Sequence, residues 1–340
     1  MYADGAAMNS NVAYQPNHMR WLEALRGIAC LSVVIEHYLD PRALYFSFGN
    51  FGVIVFFIIS GYIVTATTIK KKDETVTSFL MLRIGRLYPA YIVSVLLSFL
   101  VYSATWYELL GNFTMLQRFF GVRDINGVYW TLQIEWVFYF VIAACLAFSG
   151  VTRNKLKAAF LSFVFISLVF GVIRYYMNVK APSAVPIGIS VILISSIFVT
   201  EKDSKQRCLY GSIFVIFTII ASSFLSYSKD WGYHENPYRF ISSDLIAIAM
   251  FLLFKKFSLR SSLLEFFGKI SFSLYLFHQP CAVLVKRFIT EEHVYAVILS
   301  FAFSTLLSLF IFKILEEPVN KKVKALVKRH ILGKASVNYT

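Results

Sequence analysis

The sequence predicts an all-α polytopic membrane bundle of about ten transmembrane helices, with both termini cytoplasmic. Three observations carry that prediction. Apolar residues make up 58% of the 340 and charged residues only 15%, where a soluble domain carries about 25% charged residues. Apolar runs of helix-spanning length recur along the chain, and the period-two alternation of an outer-membrane barrel is absent. Finally, Lys and Arg concentrate in every second connection. Of the 33, 22 fall on one side of the proposed bundle and nine on the other, which fixes an orientation by the positive-inside rule.

Taken in order, the spans fall at about 21–39, 50–69, 88–106, 131–150, 156–173, 185–200, 209–226, 240–254, 271–286 and 294–315. Residues 1–19 are polar, without the apolar core of a signal peptide, and read as a flexible cytoplasmic tail. Residues 20–318 form the membrane domain. Residues 319–340 read as a basic cytoplasmic tail, solvated or facing lipid headgroups. The net charge of +14 follows from orientation, so nucleic acid is not an expected partner. No CxxC or HxxxH spacing is present, so no metal is expected, and Cys30, Cys145, Cys208 and Cys281 read as structural thiols.

The first span holds Arg26 and His37, eleven residues apart. At about 100° per residue these share one helix face, separated by about 16 Å, roughly half a hydrocarbon core. Ionisable groups inside a span mark a functional site by default. The second span carries Ser60-Gly61, a small surface suited to close helix approach. Arg83 and Arg86 stand one turn apart ahead of the third span, where Pro89 suits a turn or a helix start. Their guanidinium forks suit phosphate oxygens, although an anchor in the inner leaflet is the simpler reading. The connection 107–130 is expected to fold back over the outer end of the bundle.

Trp130 and Glu135 open the fourth span, and an acid among aromatics there needs a partner. Asp244 lies at a similar outer depth in the eighth span. His278, in the ninth, reads as a hydrogen-bonded core histidine. Glu316 and Glu317 are expected to tie down the last helix end through nearby Lys or Arg. Depth then sorts the set, with Arg26, Arg83 and Arg86 toward the inner side and His37, Glu135 and Asp244 toward the outer.

Six pieces of the chain, in order, carry a family resemblance. They are Arg26 through ten residues to His37, FFIISGY (56–62), RIGRLYPAY (83–91), WTLQIEWVFY (130–139), GKISFSLYLFH (268–278) and EEP (316–318). Together these resemble the acyltransferase-3 family of multipass membrane O-acyltransferases. The resemblance implies transfer of an acyl group, most often acetyl, from cytoplasmic acyl-coenzyme A to a hydroxyl of a cell-envelope or secreted carbohydrate. It implies no permanently bound cofactor, a location in the inner membrane, and functional roles for Arg26, His37, Arg83, Arg86 and Glu135. Two segments depart mildly: a serine-rich WSLSxE reads WTLQIE, and SYxxYLxH reads SFSLYLFH. Larger members add a soluble extracytoplasmic domain, for which these 340 residues are expected to leave no room.

On this basis His37 is the expected base, and Glu135 orients it or holds the acceptor. Arg26, Arg83 and Arg86 bind the donor, with Asp244, His278, Trp130 and Ser60 as a second tier. The competing expectation is a transporter or flippase of envelope lipid or glycan precursors, with the same ionisable groups lining its pathway.

Overall fold

The computed structural model describes residues 20–39, 45–71, 74–177, 179, 181–226 and 236–337. The tail expected at 1–19 lies outside them. Every regular element among the described residues is helical. The chain runs through α1 (Arg20–Leu39), α2 (Phe48–Lys70), α3 (Val76–Tyr102), α4 (Trp106–Phe113), α5 (Trp130–Ala147), α6 (Arg153–Met177) and α7 (Ala184–Thr200). It continues with α8 (Ser204–Ile213), which passes through a π-helical stretch, Phe214–Ala221, into α9 (Ser222–Leu225). Then follow α10 (Pro237–Phe257), α11 (Ser262–Lys269), α12 (Ser271–Phe288), α13 (His293–Ile311) and α14 (Glu317–Val337).

Each of the ten expected segments is helical. Six helical stretches are long and apolar enough to cross a membrane: Phe48–Lys70, Val76–Tyr102, Gly127–Ala147, Arg153–Met177, Ser204–Leu225 and His293–Arg329. The others are shorter, as α7 is, or carry charge, as α1 does at Glu23, Arg26 and Glu36. Large apolar side chains stand bare on the outside of the bundle, among them Leu100, Phe165, Leu306 and Phe310. Such a belt suits hydrocarbon and would be costly in water.

α1 is the central post, packed by α2, α10, α11 and α12. It passes α11 at touching distance, because a Cβ added to Gly27 would lie 2.1 Å from Leu264 O and one at Gly268 1.9 Å from Glu23 O. Gly61 likewise lets α2 meet α7, where a Cβ would fall 2.1 Å from Ile192 O. Small residues at such crossings let backbones approach in a bundle that hydrophobicity alone does not hold together.

Two expectations need correction. Pro89 does not begin a helix but lies inside α3. Pro forfeits one backbone bond there, a loss that a long membrane helix tolerates when its neighbours support it. Arg83 and Arg86 therefore sit well inside α3 rather than ahead of it. The C-terminal segment is no loose tail either. After a π-helical turn at Phe312–Glu316 it continues as α14 and packs on α3, where a Cβ added to Gly85 would lie 2.7 Å from a Val323 methyl.

The connection before α5 folds as expected of a cap. α4 starts with a capping box in which Thr105 and Glu108 satisfy each other's backbone N–H. Two 3-10 turns follow, Gln117–Phe120 and Gly127–Tyr129. The fully buried Asn112 donates to Glu108 O and Arg123 O and accepts from Ile125 N, which cross-braces the segment. Asn126 Nδ2 donates to Leu276 O and fastens the cap to α12. Arg123 and Thr105 hold the half-buried Glu108 carboxyl down to about 2.

Candidate active site

α1 carries two sites, one at each end of its ionisable face. At its C-terminal end His37 meets His278 of α12. His278 Nδ1 lies 3.1 Å from Leu274 O, which only accepts, so Nδ1 bears the hydrogen and Nε2 keeps its lone pair. That lone pair faces His37 Nδ1 at 3.0 Å, while Val33 O lies 2.9 Å from the same nitrogen. His37 Nδ1–H is thus shared between two acceptors, a tautomer assigned from its partners. The remaining ring nitrogen, His37 Nε2, has a free lone pair on an exposed side chain. Tyr38 stiffens the pair by donating to His278 O at 3.0 Å, with Ser304 Oγ at 3.2 Å on α13.

Toward the other end, Arg26 lines a cavity of about 60 Å³ together with Arg86, Glu135, Ser60 and Tyr275. Glu135 Oε1 accepts from Ser60 Oγ at 2.9 Å and from the Tyr139 hydroxyl. Arg26 contacts Glu23 at 3.3 Å, and Glu23, Glu135 and Glu316 supply the negative charge that faces Arg86. Glu316 itself accepts from Ser273 at 2.8 Å, while Glu317 pairs with Lys321 at 2.6 Å, so only the second ties the helix end through a lysine.

Arg83 is 7% exposed and its Nε has no hydrogen-bond partner. Its guanidinium stacks instead over Phe79 at 5.1 Å and Tyr139 at 5.6 Å. Arg86, Lys71 and the α14 residue Lys324 share this end of α3, and the carboxylates of Glu74 and Glu135 act on Arg83 without pairing with it. A buried guanidinium with an unpartnered Nε can take up an anion.

The structure therefore groups the sequence-predicted residues differently from depth alone. Glu135 joins Arg26 and Arg86 rather than His37. Asp244 and Trp130 line a separate cavity of about 60 Å³ with Asn50, whose Nδ2 donates to Asp244 Oδ1 at 2.6 Å. The two cavities share Val53 and Phe57 as a wall. Ser60 serves Glu135, and His278 serves His37.

A family model described as an acyltransferase domain matches residues 19–314. The chain belongs to the acyltransferase-3 family. Among curated relatives, O-acetyltransferase OatA of Staphylococcus aureus (strain NCTC 8325 / PS 47) is 25% identical over 363 residues, covering 91% of this chain and 58% of that protein. A putative O-acetyltransferase of Staphylococcus aureus (strain MSSA476) is 24% identical over 362 residues, with the same coverage. The chain thus spans less than two thirds of the length of the curated relatives it matches. No solved structure matches it.

Tyr139 and Glu23 lay outside the sequence reading, which named Ser60 and Glu316 without these partners. Tyr139 and Ser60 hold the Glu135 carboxylate, and Glu23 and Glu316 put negative charge beside Arg86. Lys324 adds a cation from a segment taken for a tail. At the C-terminal end of α1, Glu36 accepts from Arg239 Nη2 at 2.5 Å and from Phe48 N at 2.9 Å, which locks α1, α2 and α10 together. Glu36 stands beside His37 in an apolar span, and that acid alone was a signal to follow.

Proposed function

We propose that this protein is a membrane O-acyltransferase of the inner membrane. It moves an acyl group, most simply acetyl, from cytoplasmic acyl-coenzyme A to a hydroxyl of a cell-envelope or secreted carbohydrate. The supporting observation is that α1 and α12 together connect the His37–His278 pair to the cavity lined by Arg26 and Arg86.

His37 Nε2 takes the proton of the acceptor hydroxyl as its oxygen attacks the thioester carbonyl. The tetrahedral oxyanion collapses, the C–S bond breaks, and His37 returns its proton to the departing thiolate. His278 holds the ring in the useful tautomer and takes a share of the Nδ1 hydrogen when the ring becomes cationic. Arg83 and Arg86, with Lys324 nearby, hold the phosphates of the donor by charge-assisted hydrogen bonds. Arg26 and Glu135 line the passage toward His37. Arg26 and His37 are about 16 Å apart along the helix axis, so the arginine holds the donor rather than the reacting oxygen.

The test is mass spectrometry of surface glycans, and of acyl transfer in proteoliposomes supplied with acetyl-coenzyme A. Wild type adds one acyl group per modified sugar; His37→Ala, made at wild-type level, loses transfer. Full acetylation by His37→Ala would overturn the scheme.

A further inference from the structure

A second, larger space lies away from the histidine and arginine sites. It is a groove of about 780 Å³ between α2, α7, α8 and α10, walled mainly by apolar side chains such as Phe214, Ile248 and Phe251. The π-helical stretch after α8 forms part of its wall, and Leu209, Ile216 and Leu252 are exposed beside it. Its open side therefore faces the apolar belt of the bundle.

One end of the groove is cationic. Arg207 lines it, and Lys255 lies one turn beyond Phe251 and Leu252 on α10. Both stack on the same ring, Lys255 Nζ at 4.7 Å and Arg207 Cζ at 5.4 Å from the Phe198 centroid. Among the described residues, neither has a carboxylate within ion-pairing distance. The acids close in sequence are committed elsewhere: Glu201 to Arg153 at 2.9 Å and Lys157 at 2.7 Å, and Asp203 to the α8 N-cap. Two like charges on one ring, with no counter-ion, need an anion between them. An apolar trough running away from that point needs a hydrocarbon chain.

We infer that this groove binds an anionic membrane lipid, with its headgroup phosphate between Arg207 and Lys255 and an acyl chain laid against the π-helical stretch. Basic pockets between membrane helices recognise lipid phosphates by this combination of charge and trough. The site is separate from the acyl-transfer site and does not depend on that reading.

The experiment uses the full chain, purified in mild detergent and examined by native mass spectrometry with dioleoyl phosphatidylglycerol or dioleoyl phosphatidylcholine. The acyl chains and the phosphodiester are identical, so the comparison isolates the headgroup, net anionic in one lipid and zwitterionic in the other. Wild type retains the phosphatidylglycerol roughly tenfold better, and the Arg207→Gln/Lys255→Gln double variant loses that preference. Gly211 lines the groove, and a Cβ there meets open space. Gly211→Trp therefore plugs the trough without a clash and lowers retention of both lipids. An unchanged preference in the double variant, or unchanged retention in a folded Gly211→Trp protein, overturns the inference. Displacement of the lipid by soluble coenzyme A would also overturn it, because the anion would then be a donor phosphate. If Gly211→Trp does not fold, the double variant decides alone.

Discussion

At the scale of single residues, His37 gains its chemistry from a partner 241 positions away. His278 and Val33 O together fix which nitrogen of His37 is free, so His278 acts as a positioning residue rather than the base. His37→Ala should lower turnover by about 10²–10⁴-fold, the usual worth of a general base. His278→Ala should lower it by roughly 10–100-fold, the scale seen when an orienting partner is lost, and should leave the KM for acyl donor unchanged. Steady-state kinetics in proteoliposomes separate these cases, and a raised donor KM in His278→Ala would speak against the positioning role. Arg83 presents the opposite balance. Its charge is buried without an ion pair among the described residues, a costly arrangement only partly offset by the more distant Glu74 and Glu135 and by stacking worth about 0.5–2 kcal/mol. Arg83→Met should therefore keep or raise the melting temperature while raising donor KM by on the order of tenfold. A large fall in melting temperature would show that the arginine holds the bundle together instead.

The helices themselves explain how much of this was legible from sequence. Span positions followed from apolar runs, and all ten fall on helices. The eleven-residue spacing put Arg26 and His37 on α1 without needing any structure. Where the reading missed, it missed at boundaries. Pro89 was taken as a helix start, which left Arg83 and Arg86 outside α3. In the sequence Trp130 opens the fourth span, yet the 3-10 turn before α5 is itself buried, with Val128 2% and Tyr129 0% exposed. α5 therefore begins beneath the α4 cap, and Glu135 lies deep enough to share a cavity with Arg86. Local periodicity says which face a residue occupies; it does not say how far the preceding loop has sunk. The last helix was missed for a related reason, since its charge suggested solvent while Val323 packs on Gly85. Gly85→Leu should push α14 off α3, cost about 1–3 kcal/mol of stability and weaken donor binding together, readable as a lower melting temperature and a higher donor KM. Between α6 and α7 the clasp of Arg153 and Lys157 on Glu201 offers a pH test. Those partners, led by Lys157, hold the Glu201 carboxyl down at about 2. A depressed carboxylate stabilises the fold above its unfolded value, near 4.5, and loses that contribution as pH falls toward the folded one. Wild type should therefore lose thermal stability between about pH 4.5 and 2 more steeply than Glu201→Gln.

For the whole molecule, the proposed direction of transfer depends on which side the arginine cavity opens to. By the positive-inside rule, the proposed orientation puts Arg83, Arg86, Lys324 and the start of α8 together on the inner side. That choice can be tested with a reporter already in the chain. Cys30, Cys145 and Cys281 are buried, and Cys208, on the first turns of α8, is exposed. A membrane-impermeant maleimide needs both access and a thiolate, so the buried thiols should stay silent. Cys208 should label in inside-out vesicles and remain unlabelled in intact cells, with Cys208→Ala abolishing the signal. Labelling from the outside would turn the bundle over. The cationic end of α3 would then face away from cytoplasmic acyl-coenzyme A, and His37 would face it. The same site chemistry would demand a donor outside the cell, so the acyl-coenzyme A assignment stands or falls on that one thiol.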